Sequence, residues 1–413
     1  MRKRGGFCCA GVPMAAETAE RGAEMHFIQA MSLSVRLPAP AHGLALLRRL
    51  ARTAIIGSIT IGGRAFLTEL DEFGLIRALT HGRQPERLLR ENGVVVGIGD
   101  DAAVTAPTPG RQLVMSCDAM VQDIHFAAAT MTDADVGFKA MAASVSDIAA
   151  MGGVPRHALV AVSIPPGFGE ARARVLYDGL YACANACGVA VVGGDTTSSP
   201  HSLVVTVTVV GETEPGRALL RSGAQPGDAV FVTGWPGRSA AGLDYLLARG
   251  ADAKPDETFP PELASLVQAH RRPLPRIAAG RLLLESGACR ALNDVSDGIA
   301  SEAWELAEAS QCGLLLDSGR LPVHSDLRAY AARKGRNVLE WLLYGGEDYE
   351  LIGTMAAGEA ERVGEGIRAL GLPFTVIGAV TDAFAGVRMT DAAGNTIPLE
   401  KKGYNHFKPD RQI

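Results

Sequence analysis

The spacing of apolar residues predicts a helix at three places in the first half of the chain. Apolar side chains recur every three or four positions in LTELDEFGLIRALT (67–80), and again from Phe138 to Met151. Gly152 and Gly153 follow directly and would end that second helix. Residues 170–187 are predicted to be helical as well. Residues 1–66 show no sustained period, and we expect a poorly ordered extension with at most a short helix near 43–53.

Runs of β-branched and other apolar residues predict strands between these helices. The runs share a second feature, since several end in glycine or a small residue followed by aspartate. They are VVVGIGDDAAV (94–104), RQLVMSCDAMV (111–121), HALVAVSI (157–164), VAVVGGDTT (189–197) and SLVVTVTVVG (202–211).

A boundary is predicted near residues 211–230, where a turn at Gln225–Asp228 introduces a new strand, AVFVTG. A second α/β half follows, with a helix from about 238, a helical region over 261–286 and a helix that ends near Cys312. We therefore expect three parts, listed in chain order: the extension 1–66, an N-terminal domain 67–215 and a C-terminal domain 216–413.

Charge is unevenly distributed along the chain. The formal net charge is -5, but residues 1–66 carry +6, so the remainder carries -11. A strongly basic nucleic-acid-binding protein is therefore disfavoured. Acidic residues that cluster in a cleft would be neutralised most simply by metal cations.

The cysteines and the apolar runs bear on the compartment. Seven cysteines are present and none forms a CxxC pair, which argues against a zinc site or a disulfide framework and favours a reducing compartment. The apolar stretch 44–63 is interrupted by arginines, so no membrane span is predicted. The basic start has too short an apolar part for a signal peptide. We expect a cytoplasmic protein.

Aspartates carry the candidate chemistry. Ligands gather at strand ends in α/β folds, and short carboxylates beside glycine suit Mg²⁺ and its bound phosphates. Each could instead be an ordinary turn or helix-capping residue. Asp147 stands out because aspartate is unfavourable inside a helix, so it is either solvent-exposed or faces a metal. The set is Asp100, Asp101, Asp118, Asp147, Asp195, Asp294 and Asp297.

Other catalytic signatures are missing from the sequence. Gly97-Ile98-Gly99 does not complete GxGxxG, and no GxxxxGK[ST] is present, so neither the Rossmann nor the P-loop interpretation holds. HExxH, GxSxG and the protein-kinase motifs are also absent.

The motifs taken in order resemble the thiamine-monophosphate kinase family, within the superfamily of aminoimidazole ribonucleotide synthetase and selenophosphate synthetase. The resemblance runs from about Glu69 to Phe407. It implies an α/β (α+β) fold of two domains, with mixed sheets flanked by helices. The motifs are EFGLI, GIGDDAAV, SCDAMVQDIHF, KAMAASVSDIAAMGG, GGDTTSSP, RSGAQPGD, NDVSDGI, GGEDYEL and KGYNHF.

The resemblance also implies roles for individual residues, with Asp147 and Asp195 as the catalytic pair. Thiamine phosphate would be held by His125, Glu347 and Tyr404, although each could have an ordinary packing or surface role. ATP would be held by Gly194, Asp195, Arg221 and Ser296. The implied magnesium positions are Asp101, Ser116, Cys117, Asp118, Asp147, Asp195, Asp294 and Asp297.

Position 117 departs from the family, which commonly has threonine there. A thiol is a poor Mg²⁺ ligand. Either the backbone carbonyl of Cys117 coordinates and the change is harmless, or one metal site is affected.

The implied reaction transfers a phosphoryl group from ATP to thiamine phosphate, giving thiamine diphosphate. The attacking phosphate oxygen is already charged, so no strong general base is needed. Two unit charges 4 Å apart repel by about 4 kcal/mol at an effective dielectric of 20. Several Mg²⁺ ions would offset this, and we expect direct in-line transfer. The resemblance further implies a homodimer formed through the N-terminal domains.

Two other functions remain open at this point. One is another ATP-dependent reaction of the same superfamily, on a formyl-amidine or a selenide, although a Cys-Gly-Lys motif of the selenophosphate type is not evident. The other is a non-catalytic protein that binds Mg²⁺ and nucleotide in an acidic cleft.

Overall fold

The computed structural model describes residues 72–402 apart from 251–252 and 255–256. The predicted extension and Tyr404 lie outside the described residues. The helices of the described part are α1 (Glu72–Thr80), α2 (Glu86–Glu91), α3 (Asp133–Ala150), α4 (Gly169–Ala186), α5 (Arg238–Ala248), α6 (Pro261–Arg271), α7 (Ile277–Ser286), α8 (Ile299–Ser310), α9 (Ser325–Lys334), α10 (Val338–Tyr344) and α11 (Ala360–Ala369). The strands are β1 (Val94–Val96), β2 (Val104–Thr105), β3 (Gln112–Val121), β4 (Val154–Ile164), β5 (Ala190–Ser198), β6 (Val204–Thr213), β7 (Asp228–Thr233), β8 (Cys289–Asp294), β9 (Gly313–Asp317), β10 (Leu351–Ala356), β11 (Phe374–Thr381), β12 (Gly386–Thr390) and β13 (Thr396–Pro398).

The first large sheet has four strands in the order β3-β6-β4-β5. The β4–β5 pair is parallel and the other two pairs are antiparallel. Burial alternates along β6, where Val205, Val207 and Val209 are fully buried and their neighbours are not. The buried face packs against α3 and α4. We call the opposite side of the sheet, which carries the exposed side chains of Leu113 and Met115, the open face.

The second sheet has seven strands in the order β13-β12-β9-β11-β7-β10-β8, with only the β12–β9 pair parallel. Every residue of β7 is buried, in contrast to the alternation in β6. Val230 and Val232 belong to the core on one face, and Ala229 and Phe231 to the core on the other. This sheet is therefore covered by helices on both sides, and the mixed α/β architecture predicted for both halves is confirmed.

Helix α3 lies where the two halves meet. A capping box starts it, with the Thr132 hydroxyl accepting from the Asp135 backbone and the Asp135 carboxylate accepting from the Thr132 backbone. Its apolar spacing predicts an amphipathic helix. The structure differs, because fifteen of its eighteen residues are buried. The sheet and α4 cover one side, and α6, α7 and β8 contact it from the C-terminal half.

Two further predictions were wrong in detail. The helical region 261–286 is two helices, α6 and α7, because the Pro273 and Pro275 positions interrupt it. Asp118 and Asp195 lie inside β3 and β5 and not after the strands, since both strands stay paired with their neighbours beyond these residues. Among the described helices, none combines the length and apolar composition needed to cross a membrane.

Candidate active site

Carboxylates from both halves converge beside α3. Strand β3 contributes Ser116 and Asp118, whose side chains alternate with the exposed ones and therefore point away from the open face. The Ser116 hydroxyl donates to Oδ2 of Asp147 in α3. One residue earlier, Oγ of the fully buried Ser146 donates to Oδ2 of Asp294 at 2.6 Å. We call Asp118, Asp147 and Asp294 the carboxylate cluster.

The carboxylate cluster holds more negative charge than its protein surroundings neutralise. Burial, followed by the charge of Asp294, raises the pKa of Asp147 above its ordinary value. Burial also raises the pKa of Asp294, and the charge of Asp118 adds to the effect. Oδ2 of Asp118 is buried and has no hydrogen-bond partner within the described structure.

Carboxylate and hydroxyl oxygens are the ligands that Mg²⁺ prefers, and the unpartnered Asp118 oxygen is available to one. The residues present therefore fit a magnesium site. Within the described ranges, no three His, Cys, Asp or Glu side chains are already arranged around one metal position. Mg²⁺ ordinarily keeps several waters and takes oxygens from substrate phosphates as well as from the protein.

A hydrogen-bonded network joins Asn293, the chain neighbour of Asp294, to the loop before α8. Nε of Arg221 donates to Oδ1 of Asn293 at 3.0 Å, and its Nη1 lies 3.2 Å from Oε2 of Glu305. Asn293 in turn donates through Nδ2 to Oε2 of the buried Glu302 at 2.5 Å. Arg221 is exposed at the edge of the cluster, where a guanidinium can contact an anionic ligand.

Glu302 also fixes that loop. Its Oε1 accepts from the Ser296 hydroxyl at 3.2 Å and from the Asp297 backbone at 2.9 Å. Glu302 thus holds the sequence-predicted residues Ser296 and Asp297, and Arg221 joins the same network through Asn293, the chain neighbour of Asp294.

Glu347 follows the Gly345-Gly346 turn and has a left-handed backbone, with φ of 64°. Its backbone N–H donates to the Ser296 carbonyl at 2.7 Å, which ties it to the loop that precedes α8. Its carboxylate contacts the buried Lys139 of α3. His125 lies just after β3, where its Nδ1 accepts from the Val121 backbone at 2.9 Å, so the ring proton is on Nε2.

Two of the sequence-predicted metal residues are exposed, and one of them, Asp195, lies away from the cluster within one chain. Asp195 shares a cross-strand row with Ala161, Thr206 and Ala119, so it is three strand spacings, about 14 Å, from β3. Its side chain is exposed on the open face, and Gly194 precedes it. Asp101 is exposed in the loop between β1 and β2.

The thiol of Cys117 also points to the open face. Successive side chains of β3 project to opposite sides of the sheet, so Cys117 lies on the side opposite to Ser116 and Asp118. There its Sγ accepts a hydrogen bond from the Thr208 hydroxyl at 3.2 Å. A metal ligand from this position, on the side of Asp147, would have to be the backbone carbonyl. The five cysteines within the described ranges are free thiols.

Four residues of this region were not predicted from the sequence: Lys139, Ser146, Glu302 and Tyr349. Burial, followed by the charge of Glu347, raises the pKa of Tyr349, and the carboxylate cluster contributes. A charged residue within an apolar helical pattern was the available signal for Lys139, as it was for Asp147. Ser146 and Glu302 carry no comparable signal, since their importance depends on contacts made across the fold.

Comparison with known proteins decides the family. Residues 99–213 match the family described as AIR synthase related protein, N-terminal domain, and residues 225–389 match the corresponding C-terminal domain. The thiamine-monophosphate kinase of Bacillus subtilis (strain 168) is 43% identical over 343 residues, covering 82% of this chain and all of the relative. The chain belongs to the thiamine-monophosphate kinase family.

Solved structures of the thiamine-monophosphate kinase family share the fold. The enzyme from Stenotrophomonas maltophilia K279a superposes with a TM-score of 0.69 at 34% identity, covering 78% of this chain and 96% of that one. The structure described as AaThiL complexed with AMPPCP and TMP gives a TM-score of 0.64 at 32% identity, covering 85% and 100% of the two chains.

Proposed function

We propose that this chain phosphorylates thiamine phosphate to thiamine diphosphate with ATP as the donor. The observation that carries the proposal is the carboxylate cluster, in which the buried Asp294 and the half-buried Asp118 and Asp147 come from both halves and one buried Asp118 oxygen has no partner within the described residues. Family membership supports the same reaction, as does the solved relative described as complexed with AMPPCP and TMP.

In this proposal Mg²⁺ is held by the carboxylate cluster and neighbouring oxygens. The ion would neutralise charge on the transferring phosphoryl group, which is the main requirement of this chemistry. Asp147 and Asp195 are the proposed catalytic pair. Asp147 has the stronger geometric support, because it belongs to the carboxylate cluster. The full proposed ligand set is Asp101, Ser116, the Cys117 carbonyl, Asp118, Asp147, Asp195, Asp294 and Asp297.

Arg221 and Ser296 are proposed to bind the ATP phosphates. Arg221 is held by Asn293 and Glu305 with much of its guanidinium exposed, so it can bind an anion without first being ordered. His125 and Glu347 are proposed to bind thiamine phosphate, together with Tyr404, which lies outside the described residues. The attacking phosphate oxygen needs no base, so these residues orient the acceptor and exclude water.

A homodimer formed through the N-terminal half is also part of the proposal. The open face exposes Leu113, Met115 and Leu159, with 51%, 63% and 43% of their surfaces accessible. A second copy that covered this face would bury them, and it would also cover Gly194 and Asp195. The proposed roles of Gly194 and Asp195 would then depend on the dimer.

The open face offers a direct test of the dimer. Met115→Glu places a charge on the open face without entering the core, and we expect it to convert a dimer to a monomer in sedimentation and to reduce turnover. A monomeric wild-type protein at micromolar concentration would contradict the dimer.

The reaction itself is tested by incubating the protein with Mg²⁺-ATP and thiamine phosphate, followed by chromatography for thiamine diphosphate. Free thiamine is the control acceptor. Product from the phosphate alone supports the proposal, and Asp147→Asn should lose it by weakening metal binding. Nucleotide binding without product would instead favour a sister reaction of the superfamily or a binding protein.

The stereochemistry of transfer is a separate question. Direct in-line transfer predicts inversion at a chiral γ-phosphorus of ATP, because a single displacement inverts the centre. Retention would indicate a phosphoenzyme and contradict the direct route.

A further inference from the structure

Lys139 is a fully buried lysine whose ammonium group faces the proposed acceptor site. Its side chain is completely inaccessible to solvent and lies in α3 among apolar residues. Nζ is 2.5 Å from Oε2 of Glu347 and 3.4 Å from Nδ1 of His270. A lysine is seldom buried without a charged partner, and Glu347 provides that partner.

Glu347 and His270 are the polar groups that face the Lys139 ammonium. Burial lowers the pKa of Lys139, and the charge of Glu347 acts in the opposite direction. Burial, with help from Lys139, holds the pKa of His270 well below its ordinary value, so His270 is neutral. Nδ1 of His270 also lies 3.2 Å from the Ser239 hydroxyl and 3.5 Å from Oε2 of Glu347, so the imidazole packs against both members of the ion pair.

The Glu347 backbone is fixed independently of this ion pair. Its left-handed φ and the hydrogen bond to the Ser296 carbonyl hold the main chain. A Cβ added at Gly346 would come within 2.3 Å of that same carbonyl, so the preceding residue is packed closely against it and has no room for a side chain. The remaining freedom of Glu347 is therefore in its side chain, which is 28% exposed.

We propose that Lys139 is a positioning residue for acceptor binding. By holding Oε2 of Glu347, it fixes the carboxylate in one orientation and leaves Oε1 for a donor or cationic group on the acceptor. Thiamine phosphate offers both, in its amino group and its thiazolium ring. This inference rests on the proposed function, since it assigns Lys139 to the acceptor half of that reaction.

The same helix links this position to the phosphoryl-transfer site. Lys139 and Asp147 are eight residues apart in α3, which corresponds to about 12 Å along the helix axis. Lys139 therefore acts at a distance from the carboxylate cluster, and its removal should affect binding of the acceptor more than binding of ATP.

Lys139→Met is the informative substitution. Methionine keeps an unbranched side chain of similar length, and replacing a buried charge by an apolar group is often tolerated when the partner can reach water. Glu347 can, because it is partly exposed. Losing a hydrogen bond to a charged group should raise the KM for thiamine phosphate about tenfold or more. The KM for ATP should stay within about a factor of two, because Arg221 and Ser296 keep their partners.

The inference predicts a specific coupling between the two residues. Glu347→Gln should raise the same KM, and the double variant should be no worse than Glu347→Gln alone. Lys334→Met is the matched control, since it removes a lysine from an ion pair with Asp244 elsewhere in the fold, and it should leave both KM values unchanged. If Lys139→Met does not fold, Lys139→Gln replaces it with the same expectation.

The outcomes separate this inference from the reaction it rests on. Turnover by the wild type with a selective rise in the acceptor KM supports the positioning role. Turnover with an unchanged acceptor KM in Lys139→Met, or with both KM values raised equally, overturns it and leaves the proposed function intact. A wild type that neither turns over nor binds thiamine phosphate in calorimetry overturns both.

Discussion

Ser146 and Ser144 allow the contribution of one hydrogen bond at the carboxylate cluster to be measured against a close control. Both serines lie in α3, both are fully inaccessible, and each donates one hydrogen bond. Ser146 donates to the Asp294 carboxylate at 2.6 Å, whereas Ser144 donates to the backbone carbonyl of Val207 at 2.8 Å. Alanine at each position removes a similar volume and a single hydroxyl.

The two alanine variants should differ because their acceptors differ. A hydrogen bond to a charged group contributes about 1.5–3 kcal/mol, and one between neutral groups about 0.5–1.5 kcal/mol. The Ser146 bond also fixes the orientation of Asp294, a proposed metal ligand. Outer partners of metal ligands typically contribute about 10- to 100-fold to metal affinity or activity. We expect Ser146→Ala to raise the Mg²⁺ concentration for half-maximal turnover by about tenfold or more.

The assay is a Mg²⁺ titration of turnover at saturating ATP and thiamine phosphate, with urea unfolding of both variants in parallel. Ser144→Ala should lose some stability but keep the wild-type Mg²⁺ dependence. Equal Mg²⁺ dependence in the two variants would refute the reasoning, because the hydroxyl of Ser146 would then matter only for packing.

Three more predictions concern packing, position 117 and acid stability. Gly179→Ala in α4 would place a Cβ 1.8 Å from the Ala134 carbonyl, so we expect a large fall in Tm by calorimetry. Cys117→Thr should leave the Mg²⁺ requirement of turnover within about a factor of two, because the proposed ligand at this position is the backbone carbonyl, which the substitution keeps. The Arg281 guanidinium beside Glu214 holds the pKa of that carboxyl far below its ordinary value of 4.5. Glu214→Gln should therefore lower the free energy of unfolding, by an amount that is constant above about pH 5 and becomes smaller as the pH falls below 4.5. Urea unfolding at several pH values measures this loss.

Each of these has a control and a contrary outcome. Gly366→Ala in α11 meets only a flexible leucine side chain and should change Tm little; equal losses at both glycines would contradict the packing argument. Thr208→Val removes the donor to Cys117 and should also be neutral, whereas a lower Mg²⁺ requirement in Cys117→Thr would indicate direct coordination. Glu308→Gln alters an exposed pair and should show no pH-dependent difference; a stability loss at position 214 that grows on acidification would exclude the ion-pair explanation.

Most helices and strands could be predicted from the sequence, but the residues that pack around them could not. The strand over 157–164 and the helix over 170–187 agree with β4 and α4 to within a few residues, because periodicity is a local property. The first turn of α3 was missed, since it depends on the capping box at Thr132 and not on apolar spacing. The burial of α3 on both sides could not be inferred either, because part of its cover comes from residues more than 100 positions later.

The same distinction between local pattern and surrounding structure applies to the candidate site. The sequence marks Asp147 as an unusual helix residue and leaves open whether it is solvent-exposed or faces a metal, whereas the fold places it beside Asp294 and Asp118. Asp195 looked equivalent to Asp118 in the sequence, since both follow a small residue in a β-run. Their side chains occupy opposite faces of one sheet, which the order of the strands decides and the local pattern does not.

The position of α3 has a consequence for how the protein is made. The helix and the sheet it packs on are complete once residues up to 213 have been synthesised. Its other side, with Lys139 and Ser146, is covered only when α6, α7 and β8 have followed. A nascent chain released at about residue 215 would expose one face of α3 and would leave Lys139 without its ion-pair partner, Glu347. We expect such a fragment to depend on chaperones, and the halves to acquire their final stability together.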